Sequence, residues 1–469
     1  MEYNLLEEKW IPVLWKDGHS GRVGISEALR QAGRIRQIAA SNPMDRLAIL
    51  RFLLALLYWC KGNPPDDKNS ISSFPSDWFK KLDDNKDCFN LQGDGKRFYQ
   101  RKPNRLEKKL SVNYLMQEVP TGTNFWHFRH GTDFRNGLCP ACCAMGLLRL
   151  PLFATSAGRG KPPGVNQKPP IYIVPMGDCL SETLRLSWRK TSEMNLGTPT
   201  WENPDISLPQ HGNVPLLIGL TWVPRRVWLD TPETPESNCI ACGRREALIR
   251  QCVFAGIGST KTGEGSLARI WNDPHTISEG DEIVKPFSAL GPADAAAGKW
   301  TKVVAGILCG EKPKGNSKLW VVSFATVQND KYLEAAEREI QFLAALDDVK
   351  VQASLQEIQA WQKEGWKLVG RAKPRETSRN RGHLEILSAV AAVRPQAEAT
   401  VSGKIDEMIA EGGKAWEEAA QEYRPLMAAV AKSLSPGYTT ASLRRRQEIA
   451  AVKPDMRPKR NNKDEGGDK

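Results

Sequence analysis

The segments Leu138-Cys139-Pro140-Ala141-Cys142-Cys143-Ala144 and Cys239-Ile240-Ala241-Cys242-Gly243 decide how the first two-thirds of this chain is read. A Cys-x-x-Cys spacing brings two thiolates to one side of a tight loop. The glycine after Cys242 relaxes the backbone so that amides can point at sulfur. Two such knuckles supply the four ligands of a tetrahedral zinc, here Cys139, Cys142, Cys239 and Cys242. A four-sulfur set leaves no open position for water, so the expected cofactor is one structural zinc per chain. The pairs stand 97 positions apart, from Cys142 to Cys239, and the ion would clip distant segments together. Cys143 can replace Cys142 in the set, and buried free thiols are the plain alternative. Neither pair has a thioredoxin-like strand–helix context, which argues against redox use. Cys60, Cys88, Cys179, Cys252 and Cys309 are isolated and read as core thiols.

Around these knuckles the pattern is mixed. Ile171–Val174, Trp222–Pro224, Val227–Leu229 and Trp320–Val322 read as strands bounded by proline and glycine. Met44 to Cys60 reads as a buried helix with Asn42 or Asp45 near its start. After Asn329 the period changes: Leu333, Ala336, Ile340 and Leu343 recur at spacings of three and four, and Val351, Leu355 and Ile358 continue them. A further stretch carries Val401, Ile405, Met408 and Trp416. Amphipathic helices with short breaks predict an antiparallel helix bundle. The reading is therefore α+β: a large mixed domain over 1–330 with a zinc-clipped segment, a helix bundle over 331–452, and a disordered tail over 453–469.

The chain has 469 residues, 40% of them hydrophobic and 26% charged, the balance of a globular protein with a sizeable core. Its net charge of +12 permits a polyanionic partner. Leu47 to Cys60 is too short for a bilayer and is interrupted by Arg51, and the start lacks a basic region followed by an apolar run. No membrane partner and a cytoplasmic location are expected. There is no G-x-x-x-x-G-K-[ST] loop, no G-x-S-x-G elbow and no H-E-x-x-H, and the six histidines are scattered. A binding protein is favoured over an enzyme.

Three segments bear on binding. Lys96, Arg97, Arg101, Lys102, Arg105, Lys108 and Lys109 cluster with Phe98 and Tyr99, a composition that can hold phosphates and stack bases, or simply form a solvated face. Ser156 to Gly164 is glycine-rich and carries Arg159 and Lys161, suited to close backbone approach or to a flexible loop. Gln328 and Asn329 have amides that can donate and accept at base edges, and Asn329 or Asp330 can equally cap a helix.

In order along the chain, Asn4-Leu5-Leu6, Trp10-Ile11-Pro12-Val13, Thr123-Asn124, Leu138 to Ala144, Gly158 to Gly164, Pro199-Thr200-Trp201, Gly219 to Pro224, Cys239 to Gly243 and Ile270 to His275 resemble the CasA family, the large subunit of the type I-E CRISPR surveillance complex Cascade. The resemblance implies a mixed N-terminal domain and a C-terminal four-helix bundle. It implies the other Cascade subunits, a CRISPR guide RNA, double-stranded target DNA and a helicase-nuclease as partners. It also implies recognition of the protospacer-adjacent motif from the minor groove, followed by wedging of the duplex without cutting. By the same resemblance, Gly158, Arg159 and Gly160 form the DNA-facing glycine loop, Lys285 is the reading lysine, and Gln328 and Asn329 form the wedge turn, followed by a long helix. Phe125, Trp126, His127, Phe128 and Arg129 fall on a loop near the guide RNA. Base pairing with the guide supplies most of the sequence information, so a small minor-groove readout suffices.

Overall fold

The computed structural model of the chain describes residues 3–103, 107–119, 125–126, 129–130, 136–154, 172–192, 195–209, 212–257, 269–271, 273–276, 278–279, 282–283, 318–327 and 331–341. Asn4 sets the start of the fold. Its Oδ1 accepts from the Leu6 amide at 3.0 Å, while its Nδ2 donates to Lys86 O at 3.1 Å and to Asn90 Oδ1 at 2.6 Å. One side chain thus turns the segment and staples it to residues 82 and 86 positions away, and Leu5 and Leu6 enter the core. Trp10 is fully buried and donates its indole N–H to Leu5 O at 2.9 Å, which satisfies its polar edge.

Strands β1 (Ile11–Trp15) and β2 (Ser20–Val23) form an antiparallel hairpin with Ile11 opposite Val23. Ile11 and Val13 alternate inward, the period of a half-buried strand. Gly24 precedes helix α1 (Ile25–Arg30); a Cβ there would stand 2.4 Å from Leu6 O, so the close approach needs glycine. Strand β3 (Ile35–Ile38) pairs with the other edge of β1.

Helix α2 (Pro43–Lys61) confirms the buried helix and its cap. Asn42 accepts from the Met44 amide at 2.9 Å, and Pro43 occupies the first turn, where a missing N–H costs nothing. Gly62, at φ +80°, ends the helix, and its amide donates to Tyr58 O at 2.8 Å. Leu47, Leu50, Leu53, Leu54 and Leu57 are buried, and so are Ile49, Phe52 and Leu56 on the other sides. A helix apolar all round needs cover on every side.

The chain continues through α3 (Lys80–Asp84), β4 (Lys109–Ser111), β5 (Phe125–Trp126), β6 (Arg129–His130), α4 (Pro140–Phe153), β7 (Tyr172–Met176), α5 (Leu180–Ser187), β8 (Gly212–Val214), α6 (Leu216–Thr221) and β9 (Arg225–Leu229). It ends, among the described residues, with β10 (Glu233–Asn238), β11 (Arg245–Leu248), β12 (Gln251–Gly256), β13 (Arg269–Trp271), β14 (Ser278–Glu279), β15 (Glu282–Ile283), β16 (Lys318–Val327) and β17 (Lys331–Gln341). Helices α4, α5 and α6 cover α2. Phe52 meets Phe98 edge-on at 5.4 Å and Trp201 at 5.6 Å, and Trp59 meets Trp201 at 5.6 Å. Each such ring contributes about 1.5–3 kcal/mol by leaving water. The sheets are small: β4-β12-β9, the β10–β11 ribbon, β8 beside β13, and β7-β16-β17.

Two expectations are corrected here. Trp222–Pro224 is not a strand; Trp222 closes α6, its amide donating to Ile218 O at 2.8 Å. The helix expected over Leu333–Ile340 is strand β17 as far as Gln341, so no long helix directly follows Asn329. Spacings of three and four in a short run do not exclude a period of two. Ala335, Glu337 and Glu339 share one exposed face, the alternation of a strand, and hydrogen bonding to the apolar strand β16 overrides the helix preference of alanine and glutamate.

The chain divides into two units. The first comprises Met1–Ser288, Ile307–Cys309 and Lys314–Ile340. The second comprises Ala289–Gly306, Gly310–Pro313 and Gln341–Lys469; apart from Gln341, it lies outside the described residues, and with it the expected helix bundle and tail. No helix among the described residues is long and apolar enough to cross a membrane.

Candidate metal centre and nucleic-acid elements

Cys139 is the residue before α4, and Cys142 lies in that helix's first turn. The second pair sits in the turn of the β10–β11 ribbon. Gly243 takes φ +72° and donates its amide to Cys239 O at 2.8 Å, which closes that knuckle. The two knuckles are aligned by a backbone bridge beside them: Leu138 N donates to Ile249 O at 3.0 Å, and Ile249 N donates back to Leu138 O at 2.8 Å. Gly137 permits this approach; at φ +102°, its missing Cβ would stand 2.6 Å from Ile249 O.

The ligand atoms of Cys139, Cys142, Cys239 and Cys242 all lie within 4.8 Å of one another. Cys139 Sγ and Cys242 Sγ are 3.7 Å apart. A tetrahedron with zinc–sulfur bonds near 2.3 Å has sulfur–sulfur edges of about 3.8 Å, so the donor set fits zinc. The Cys139 amide donates to Cys239 Sγ at 3.3 Å, as expected for a thiolate held in a knuckle. Hydrogen bonds from Cys139 and Cys142 hold the Cys239 thiol far below its usual range. The hydrogen bond from Cys142 leads in lowering Cys242 to about 6. Cys142 is pushed up by its hydrogen bonds to Cys139, Cys239 and Cys242 and by burial. Protons shared unequally among four clustered thiols are what a divalent cation displaces.

The choice between Cys142 and Cys143 is settled by helix geometry. One residue further round α4, Cys143 turns away from the cluster, is fully buried and points its Sγ at Leu138 O, 3.9 Å away. Cys88, Cys179 and Cys252 are buried, as expected of core thiols, and Cys60 is half-buried; Cys309 lies outside the described residues.

Of the nucleic-acid positions, Gly158, Arg159, Gly160, Lys285, Gln328 and Asn329 lie outside the described residues, as do His127 and Phe128. Phe125, Trp126 and Arg129 belong to an antiparallel ribbon, with Phe125 opposite His130 and Trp126 opposite Arg129. The positions 328–330 connect β16 to β17. These strands are hydrogen-bonded neighbours, and so short a connection makes them antiparallel.

In the basic segment the structure bears on the two alternatives that the sequence left open. Phe98 and Tyr99 are buried, stacked on each other at 4.3 Å, and cannot stack on bases. Arg97 lies 3.9 Å over the Trp228 ring and donates to Gly93 O at 2.6 Å and Leu229 O at 2.8 Å. Lys109 pairs with Asp230 at 2.8 Å. Lys96, Lys102 and Lys108 remain on the exposed face.

Sequence reasoning missed two buried charge clusters. Arg51, in the middle of α2, pairs with Asp273; their side chains are 2% and 4% exposed. Asp273 Oδ1 also accepts from the His275 amide at 2.9 Å, and the His275 ring meets Ser187 Oγ at 3.0 Å. Burial pushes the Asp273 carboxyl up, but Arg51 and His275 carry it below the usual range. Burial holds His275 neutral, lowered to about 3. Near the start of α2, Arg149 contacts Asp45 at 2.5 Å and Glu118 at 2.6 Å. The signals were present: an arginine interrupting an apolar helix needs an acid, and Asp273-Pro274-His275 is where the acid lies.

The structure is a mixed α+β domain in which four thiols from two distant segments converge in a set that could hold one metal ion and would leave it no open ligand position. The sequence model of the family described as CRISPR-associated protein Cse1 matches residues 4–452. The chain belongs to that family. CRISPR-associated protein CasA/Cse1 of Thermus thermophilus is 29% identical over 219 residues, covering 44% of this chain and 43% of that relative. That match spans less than half the relative's length. Among solved structures, Thermus thermophilus CasA superposes with TM-score 0.69 at 20% identity, covering 96% of this chain and 98% of that one. Cse1 from Acidimicrobium ferrooxidans gives 0.65 at 17% identity, covering 96% and 98%. A chain of a CRISPR RNA-guided surveillance complex gives 0.65 at 14% identity, covering 96% and 99%. At these identities what is shared is the fold.

Proposed function

We propose that this chain is the large, non-cutting subunit of a type I-E CRISPR RNA-guided surveillance complex. It works in the cytoplasm beside the other Cascade subunits and the CRISPR guide RNA. It reads the protospacer-adjacent motif of double-stranded target DNA from the minor groove, opens the duplex for the guide, and helps recruit the helicase-nuclease. The observation that carries the reading is the family match over residues 4–452.

In this reading Gln328 and Asn329, in the connection between β16 and β17, enter the duplex. Gly158, Arg159 and Gly160 approach the backbone and groove edge, and Lys285 adds a donor. Phe125 to Arg129 lie toward the guide RNA. Unstacking a base step costs a few kcal/mol, on the order of what the new hybrid returns, so a short polar wedge suffices without chemistry on the strands. The zinc keeps the domain's distant segments in place and takes no part in opening. The expected test result is loss of opening of a correctly flanked duplex, read by 2-aminopurine fluorescence beside the motif, in an assembled complex carrying Gln328→Ala and Asn329→Ala. Opening that is unchanged rejects the wedge. Equal binding of motif-bearing and scrambled duplex favours instead a zinc-stabilised RNA-binding scaffold.

A further inference from the structure

Strand β17 is an edge strand, bonded on one side to β16. Strand β16 is held by β7 from Lys318 to Val322 and buries Trp320, Val322 and Phe324, whereas β17 has no second strand beside it among the described residues. One residue near the start of α2 reaches it. Arg46 Nη1 donates to Glu337 Oε2 at 3.0 Å, and Trp320 Nε1 donates to the same oxygen at 3.0 Å. The Arg46 guanidinium lies 5.0 Å from the Trp320 ring centroid, and its Nη2 donates to Ala40 O at 3.3 Å. Every pair in this triangle is in contact. Trp320 is 2% exposed, so the aromatic corner is anchored in the core, and α2 behind Arg46 is buried along most of its length. Two residues further along β17, Glu339 accepts from Lys318 Nζ at 3.0 Å, a second tie within the strand pair but one that does not reach α2.

We propose that Arg46, Trp320 and Glu337 form a clamp that holds the edge strand β17 to β16 and to helix α2, and that Glu337 is a positioning residue for strand opening. The second half rests on the wedge reading above. The geometry favours a clamp over a generic surface ion pair because one carboxylate oxygen takes both donors, and the two donors are themselves stacked. A cation over an indole, with a shared acceptor at its edge, has few alternative arrangements. The loss of the acceptor frees the guanidinium and the strand together.

The experiment uses the assembled complex with Glu337→Ala, with Glu337→Gln, and with Gln328→Ala/Asn329→Ala as reference. Glutamine keeps an acceptor oxygen for both donors and is the rescue. Three quantities are read: amide exchange over 319–327 and 331–337, duplex affinity without opening, and the opening rate. Glu337→Ala is expected to speed exchange in both strands and to slow opening about fivefold, the scale of a surface pair's free energy, with duplex affinity and zinc content unchanged. Glu337→Gln is expected to recover most of both. Unchanged exchange in Glu337→Ala overturns the clamp. Unchanged opening in Glu337→Ala, with opening lost in the reference variant, overturns its positioning role. If the reference variant itself opens DNA normally, the wedge reading falls and the positioning role with it. Exchange then judges the clamp alone: faster in Glu337→Ala upholds it, unchanged removes it.

Discussion

The four-thiol centre and the Arg46–Trp320–Glu337 triangle do the same job in opposite ways. Each ties together segments far apart in sequence: Cys139 to Cys242 in one, Arg46 to Glu337 in the other. The first is half to fully buried and built from a residue type that is rare and conspicuous when paired. The second runs from the core at Trp320 to the surface at Glu337, whose side chain is 39% exposed, and its ion pair uses residues found everywhere. The tie expected to matter most for folding is written in unusual letters. The tie expected only to loosen an edge strand is not.

The largest effect expected is at the centre. Parent protein is expected to carry about one zinc per chain by metal analysis, and Cys139→Ser with Cys239→Ser to lose it, with poor folding, since apparent zinc binding in small structural sites is worth about 10–16 kcal/mol. A metal-free, fully folded parent breaks the comparison at its root. Next in size is Phe98→Ala, which is expected to cost about 3–5 kcal/mol in urea unfolding as a core truncation and to leave the affinity of folded protein for single strands unchanged. A pure affinity loss at unchanged stability restores the base-stacking role that burial denies it.

Asp273→Ala tests a tie intermediate between the two extremes. It leaves Arg51 buried without its acid, at a cost of about 3–5 kcal/mol. The same cluster predicts acid sensitivity. His275 is lowered from 6.5 to about 3, so from pH 6.5 downward the unfolded chain takes a proton that the folded chain refuses, and stability falls with pH. Asp273, held below its usual range, acts in the same direction: its contribution is present above the unfolded carboxyl pKa and is lost as pH falls through the folded one. His275→Asn is expected to remove up to about 1.4 kcal/mol per pH unit of slope between pH 6 and 4. An unchanged slope places the proton elsewhere. The smallest effect on global stability is that of Glu337→Ala, below about 1 kcal/mol for an exposed pair. A loss as large as that of Asp273→Ala would erase the distinction between the two kinds of tie.

How legible this was depended on the kind of information each element carries. The cap at Asn42, the apolar run to Cys60 and the knuckles are local, and spacing alone reads them. The ordered short motifs pointed to the family, and two of them meet in the structure. Thr200 N, for example, donates to Thr221 Oγ1 at 2.9 Å and joins two of them directly. Strand β17 was misread because alanine and glutamate favour helices locally, while pairing with β16, which a local window does not include, outweighs them. The charged segment around Phe98 stayed open between two readings because burial of an aromatic between basic residues is decided by its packing on Phe52 and Phe89, which the local composition does not show. Arg51 and Asp273 were each visible as oddities; that they cancel each other is a fact of three dimensions.

The spacing of the knuckles also constrains how the molecule is made. A ribosome delivers the second pair of thiols 97 residues after the first, which at about 5–20 residues per second is a wait on the order of 5–20 s. During that interval Cys139 and Cys142 are a nascent half-site, exposed to oxidation and to stray metals. Helices α5 and α6 are synthesised within it. Capture of an ion by all four thiols therefore cannot precede the synthesis of Cys242, about midway through the 469-residue chain and before β11, β12, β16 and β17 are made.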